Sequence, residues 1–192
     1  MPFSLPSRLD LLAAAPNLPT QLSLAALNAV VWYVVITLAT WLLMRTFRSK
    51  PWRKRWLAMH KQTAEKAYMI VLDSDEAIYE MACAFLGVLS QHLVGGLLCL
   101  PSALGYSTEL AFTLARHGTL CEVGWEVQDV VVRVWQCTAS GAAGRAKNPA
   151  GLVLILVLHH TMAMSLAIPM NLWYPRNHYV HEAVCLLQVR VH

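Results

Sequence analysis

Apolar positions along the chain fall into long runs separated by short polar stretches. Leu24 to Met44 is a run of 21 residues without a charge, with Asn28 its most polar member. That length crosses a hydrocarbon core. It is too long for a secretory signal, no small-residue cleavage site follows it, and its basic cluster comes after rather than before. It therefore reads as a permanent first span. Asp73-Ser74-Asp75-Glu76 then predicts a helix start, with Asp73 as cap and Glu76 folding back as in a capping box. A second span follows over 77–100, then an uncharged turn over 101–106. The third segment, 107–136, is less clean, and Arg116, His117 and Gly118 predict a break or kink. A second basic loop covers 138–149, a fourth span 150–174 with Pro169 toward its end, and a tight turn 175–178. A fifth apolar segment, 179–189, stops short of a crossing. The pattern predicts an all-α polytopic transmembrane helix bundle with four spans plus a partial fifth. Residues 1–22 form a short lumenal or extracellular N-terminus, and 23–192 form a single transmembrane helical domain with a basic cytoplasmic loop at 45–66.

Composition agrees with lipid as the solvent. The chain is 57% hydrophobic and 14% charged, whereas soluble domains are about 45–50% apolar and about 25% charged. Eight of the 15 Lys and Arg lie between Arg45 and Lys66, where Glu65 is the only acid. Basic residues beside a span mark the cytoplasmic side, and Trp52 and Trp56 among them suit the headgroup zone. Residues Arg45 to Lys66 are thus read as a surface anchor, with anionic headgroups as its partners. Two crossings separate the two basic loops, so both lie on one side. Apolar runs of this length flanking the cluster argue against nucleic acid as a partner. The five cysteines, at 83, 99, 121, 137 and 185, have neither CxxC nor zinc-type spacing. They read as apolar fillers.

The candidate chemistry sits in the third segment. Glu122, Glu126, Asp129 and Arg133 are spaced 4, 3 and 4, which puts them on one helix face. A charge at the bilayer centre costs about 2.5–3.5 kcal/mol, so four facing lipid would cost on the order of 10 kcal/mol. The stripe therefore faces the bundle interior or a wet cavity. Asp129 and Arg133 can pair one turn apart. Glu122 and Glu126 cannot, so one is neutral or both share a cation or a cationic histidine. His159 and His160, at mid-depth of an apolar helix, are the natural partners. Adjacent rings point about 100° apart, so they are not expected to chelate one metal with ease. They can line a cleft, one as general base and the other as donor. Glu80, Gln91 and His92 add a weaker polar stripe on the second span. His178 and His181 have HxxH spacing beside Glu182, which a metal can use. One such pair falls short of the several histidine boxes of membrane di-metal hydroxylases, and no metal site is assigned. No phosphate-cradling glycine loop, GxSxG elbow or CxxC pair is present, and no cofactor is expected.

At Leu158-His159-His160-Thr161, inside an apolar helix, the chain resembles the TLC-domain family, the polytopic membrane lipid proteins that include the ceramide synthases. The similar features are a basic loop before a helical core, an acidic middle helix, a histidine pair in a later span and, loosely, Glu182. The resemblance covers residues 55 to 190. The match implies a lipid-handling bundle in the endoplasmic reticulum or another endomembrane, with membrane lipids as partners. It places His159 and His160 where a synthase would use them for acyl transfer. The synthase motif continues to aspartates beyond its histidines, and this chain has none after Asp129. The expected function is therefore binding or regulation of membrane lipids, as a divergent or truncated member. The alternative is acyl-CoA-dependent N-acyl transfer using the histidine pair, and a metal-dependent lipid hydroxylase is a third.

Overall fold

The computed structural model describes residues 6–189, so the outermost residues of both predicted segments lie outside it. Eight helices occupy the described residues: α1 (Arg8–Leu12), α2 (Leu18–Phe47), α3 (Arg53–Tyr68), α4 (Asp75–Ala103), α5 (Glu109–Ala139), α6 (Gly141–Lys147), α7 (Ala150–Trp173) and α8 (His178–Val189). Three of them, α2, α4 and α7, are long and apolar enough to cross a membrane. The membrane-spanning all-helical class therefore stands, on three such helices rather than four. Helix α5 has the length, 31 residues, but it carries Glu109, Arg116, Glu122, Glu126, Asp129 and Arg133. Helix α8, at 12 residues, rises about 18 Å, well short of a hydrocarbon core of about 30 Å.

The helix ends follow their capping residues. Asn17 accepts from the Thr20 N–H at 3.0 Å ahead of Pro19 in the first turn of α2. Thr108 accepts from Ala111 N–H at 3.1 Å at the start of α5. The cap of α4 is Ser74, accepting from Ala77 N–H at 3.2 Å, not Asp73. A capping box needs an acid three residues after the cap, and Ala77 stands there. The box occurs instead at α1, between Ser7 and Asp10.

Other boundaries differ from the sequence pattern for local reasons. Helix α4 runs through Pro101 to Ala103, because Leu104 N–H still reaches Leu100 O at 2.9 Å. The basic loop over 138–149 contains α6, entered through Gly141 at φ +54°. The expected break at Arg116–Gly118 is absent, and α5 is continuous there. Gly118 serves close packing instead: a Cβ on it would lie 2.6 Å from the Gly95 carbonyl oxygen.

Helices α4 and α5 lie at the centre, with α2, α7 and α8 around them. They run antiparallel along their whole length. The Cys99 thiol approaches Ala115 O at 3.6 Å near one end, and Gln136 Nε2 donates to Glu80 Oε1 at 3.3 Å near the other. Both basic segments sit at that second end, where Val71 N–H donates to Ala146 O at 3.3 Å. There Phe47, Trp52, Trp56 and Tyr79 pack edge-on or stacked, and Arg53 bonds Tyr79 and pairs with Asp75. The outer face of α7, with Leu154, Ile155, Leu158, Met162 and Leu166, is exposed. This is an apolar surface suited to acyl chains.

Glycine sets the approach of α2 to α5. A Cβ on Gly124 would collide with Asn28 Cβ and lie 2.9 Å from the Ala29 nitrogen, which cannot move aside. Gly124→Ala should therefore lower unfolding stability by about 2 kcal/mol, as overpacking does. An SDS-titration midpoint in mixed micelles checks this, and an unchanged midpoint would refute it.

Candidate functional site

A cavity of about 680 Å³ lies among α2, α4, α5 and α7, closed at one end by the α3–α4 connection. Its volume is in the range of small-molecule sites, roughly 300–1,000 Å³. Helices α2 and α4 contribute apolar groups to its lining, including Ile36, Met44, Phe85 and Val88. The acidic face of α5 and the histidines of α7 line it as well.

The charged stripe divides into three local arrangements. Asp129 accepts from Arg133 Nε with both oxygens, at 3.0 and 2.8 Å, the pairing that the one-turn spacing predicts. Arg133 also donates to Asn148 Oδ1 at 3.0 Å. Asn148 in turn donates to Gln136 Oε1 at 2.9 Å and Gly144 O at 3.0 Å. Asn148 thus holds α6 to the Arg133 end of the stripe.

Glu126, 3% exposed, faces His160, 5% exposed. His160 Nε2 lies 3.1 Å from Asp129 Oδ2, and its Nδ1 lies 3.7 Å from Glu126 Oε1. Glu122 goes elsewhere: its Oε2 accepts from Gln188 Nε2 of α8 at 2.8 Å. The two glutamates at like-charge spacing are thus separated by having different partners, rather than sharing one.

His159 is exposed and lines the cavity, with its ring centroid 5.5 Å from that of His160. Although adjacent helical residues diverge, a ring nitrogen of each histidine and a Glu126 oxygen all lie within 4.8 Å of one another. Glu80, Gln91 and His92 also line the cavity. Gln91 is buried and its Oε1 has no partner. Glu80 stands at the rim, between Gln136 and Lys147, whose Nζ is 4.0 Å away.

His181 and Glu182 lie outside the cavity. His181 is fully buried and its Nδ1 meets Ser102 Oγ at 2.7 Å, while His178 Nδ1 meets the same hydroxyl at 3.3 Å. The HxxH pair therefore converges on a serine at the far end of α4. Glu182 is exposed on α8.

Sequence reasoning did not find Asn148, Gln136 or Gln188, which complete the polar network. Their only sequence signal is an amide in or beside an apolar helix, which is common and unspecific. Nor did it find the role of Arg116, which donates to Ala14 O at 3.1 Å and to Ala13 O and Pro175 O at 3.0 Å each. No family model matches the chain, and no curated protein or solved structure compared with it matches either.

Proposed function

We propose that this chain is an integral membrane protein that binds a lipid or lipid-like amphiphile in the cavity among α2, α4, α5 and α7. The observation that carries this reading is the cavity's mixed polar and apolar lining. Its lining combines apolar side chains such as Ile36, Met44, Phe85 and Val88 with Glu126, Asp129, His159 and His160, which suits a molecule with an acyl part and a polar head. In this reading α5 is a fourth, interior crossing, since it lies antiparallel to α4 from Gln136–Glu80 to Cys99–Ala115. Its charges are tolerable there because they face protein and a cavity rather than lipid. The basic surface from Arg45 to Lys66 rests on anionic headgroups, and an endomembrane such as the endoplasmic reticulum is its setting. The role is lipid binding or regulation, as the TLC-domain resemblance implies.

Ala84 on α4 lines the cavity wall, and Ala84→Trp would fill part of it. Protein purified into mild detergent should carry lipid visible by native mass spectrometry, and Ala84→Trp should reduce its occupancy at least about tenfold, the fold-change for about 1.4 kcal/mol. Equal lipid occupancy in the wild type and Ala84→Trp would defeat the reading.

One observation favours a second reading, N-acyl transfer. His159 is free on the cavity side, where it can take the proton of an attacking amine. His160 is less suited to that task, because its Nε2 is committed to Asp129. Acyl transfer should then be lost in His159→Ala with lipid occupancy retained. Activity unchanged in His159→Ala would remove the reading.

A further inference from the structure

We propose that Glu126, His159 and His160 form a binding site for a divalent transition-metal ion of the zinc type, with its open coordination position facing the cavity. Three donors from two helices converge, a ring nitrogen of each histidine and a Glu126 oxygen lying within 4.8 Å of one another. Two histidines and one carboxylate with a fourth position open is a zinc donor set of the catalytic kind.

The unpaired atoms point to a ligand independently. Glu126 and His160 are both more than nine-tenths buried, yet Glu126 Oε2 and His160 Nδ1 have no hydrogen-bond partner. With Nε2–H donated to Asp129, a neutral His160 turns its Nδ1 lone pair toward the carboxylate. Two lone pairs facing each other in a buried place repel, so the contact calls for a cation or a proton between them, and a third donor, His159, converging on the same point favours the cation. A metal ion fits the spacing. Donors at about 2.0–2.2 Å from a tetrahedral zinc stand about 3.3–3.6 Å apart, and Nδ1 and Oε1 are 3.7 Å apart.

The outer shell is also built. Asp129 holds His160 by Nε2, and Arg133 holds Asp129 with both carboxylate oxygens engaged. This is the carboxylate–histidine–metal relay that fixes the tautomer and orientation of a ligating imidazole. His159 is the mobile member. Being exposed, its ring can rotate to close the coordination sphere, and the remaining position opens toward whatever occupies the cavity. A bound ion there would act as a Lewis acid toward a polar head group or its bound water.

The site stands on the donor geometry and does not depend on the lipid reading. The test is Zn²⁺ binding by the protein in lipid nanodiscs, measured against a competing chelator, with Co²⁺ absorption reporting the coordination geometry. The expected result is one Zn²⁺ per chain and a tetrahedral or five-coordinate Co²⁺ spectrum. Stoichiometric binding should be lost in both His159→Ala and Glu126→Gln, and His159 is exposed enough that its variant leaves the fold intact. Asp129→Asn should weaken binding by about 10–100-fold, as outer-shell changes do. Ala84→Trp should leave Zn²⁺ bound while expelling lipid, which separates failure of this site from failure of the lipid reading. Wild-type protein that takes up no more Zn²⁺ than empty nanodiscs would overturn the proposal, leaving a shared proton between Glu126 and His160. So would either His159→Ala or Glu126→Gln binding as tightly as wild type.

Discussion

Asp129→Ala is expected to destabilise the folded protein by about 1.5–3 kcal/mol, the range for charge-assisted hydrogen bonds, because the Asp129–Arg133 pair is part-buried at the cavity edge. Asp129 serves two groups at once, Arg133 through both oxygens and His160 through Oδ2. Without it Arg133 keeps only Asn148 Oδ1, and a guanidinium cannot shed its charge to escape. Most of the loss therefore comes from the stranded cation rather than from the missing contact. That attribution makes a second expectation. Asp129→Ala combined with Arg133→Met should be less damaging than Asp129→Ala alone, since no unpaired charge remains. Asp129→Asn should fall between wild type and Ala, because an amide still accepts one bond. Unfolding midpoints in mixed micelles across these variants give the comparison. A double variant less stable than Asp129→Ala would show that the stranded charge is not the cause.

Arg116→Met should cost about 3 kcal/mol and should release the segment before α2. Arg116 is 4% exposed and binds the carbonyls of Ala13, Ala14 and Pro175 together with Thr113 Oγ1 at 3.0 Å. Hydrogen bonds to a charged donor contribute about 1.5–3 kcal/mol each, and water reaching the ends of the helices would offset part of that sum. Methionine fills the space of the stem but offers no donor. Arg116→Lys should recover little, since one ammonium cannot reproduce a planar fork aimed at three carbonyls. Limited proteolysis near Ala13–Pro16 reads the local effect and a thermal or SDS midpoint reads the global one. Protection at that segment equal to wild type would refute the clamp.

The same residue shows how the sequence misleads. Arg116 beside His117 and Gly118 looks like an interruption because the one partner near it in the chain, Thr113 Oγ1, takes only one of its donors. Its three carbonyl partners lie 59 to 103 residues away, so the clamp exists only in the folded molecule. The stripe on α5 was legible for the opposite reason. The 4, 3, 4 spacing is local, and both the Asp129–Arg133 pair and an inward face follow from helix periodicity alone. That His160 meets the stripe was also foreseeable, since an ionisable pair in an apolar helix needs polar company. Which acid it meets was not: Glu122 turns to Gln188 on α8, a residue whose sequence context is unremarked. The count of four spans fails at α5, which has the length to cross but carries six charged residues, so only α2, α4 and α7 are apolar enough to qualify.

The two contacts of Asp129 differ in when they can form during synthesis. Arg133 is four residues on and in the same helix, so that pair closes as soon as α5 winds. His160 is 31 residues on and belongs to a helix made later. Until α7 is produced, Glu126 has no imidazole beside it, and the acidic face of α5 must wait against α4 or in contact with water. The stripe is therefore completed in chain order, Glu126 and Asp129 by α7 and Glu122 last, by Gln188 of α8.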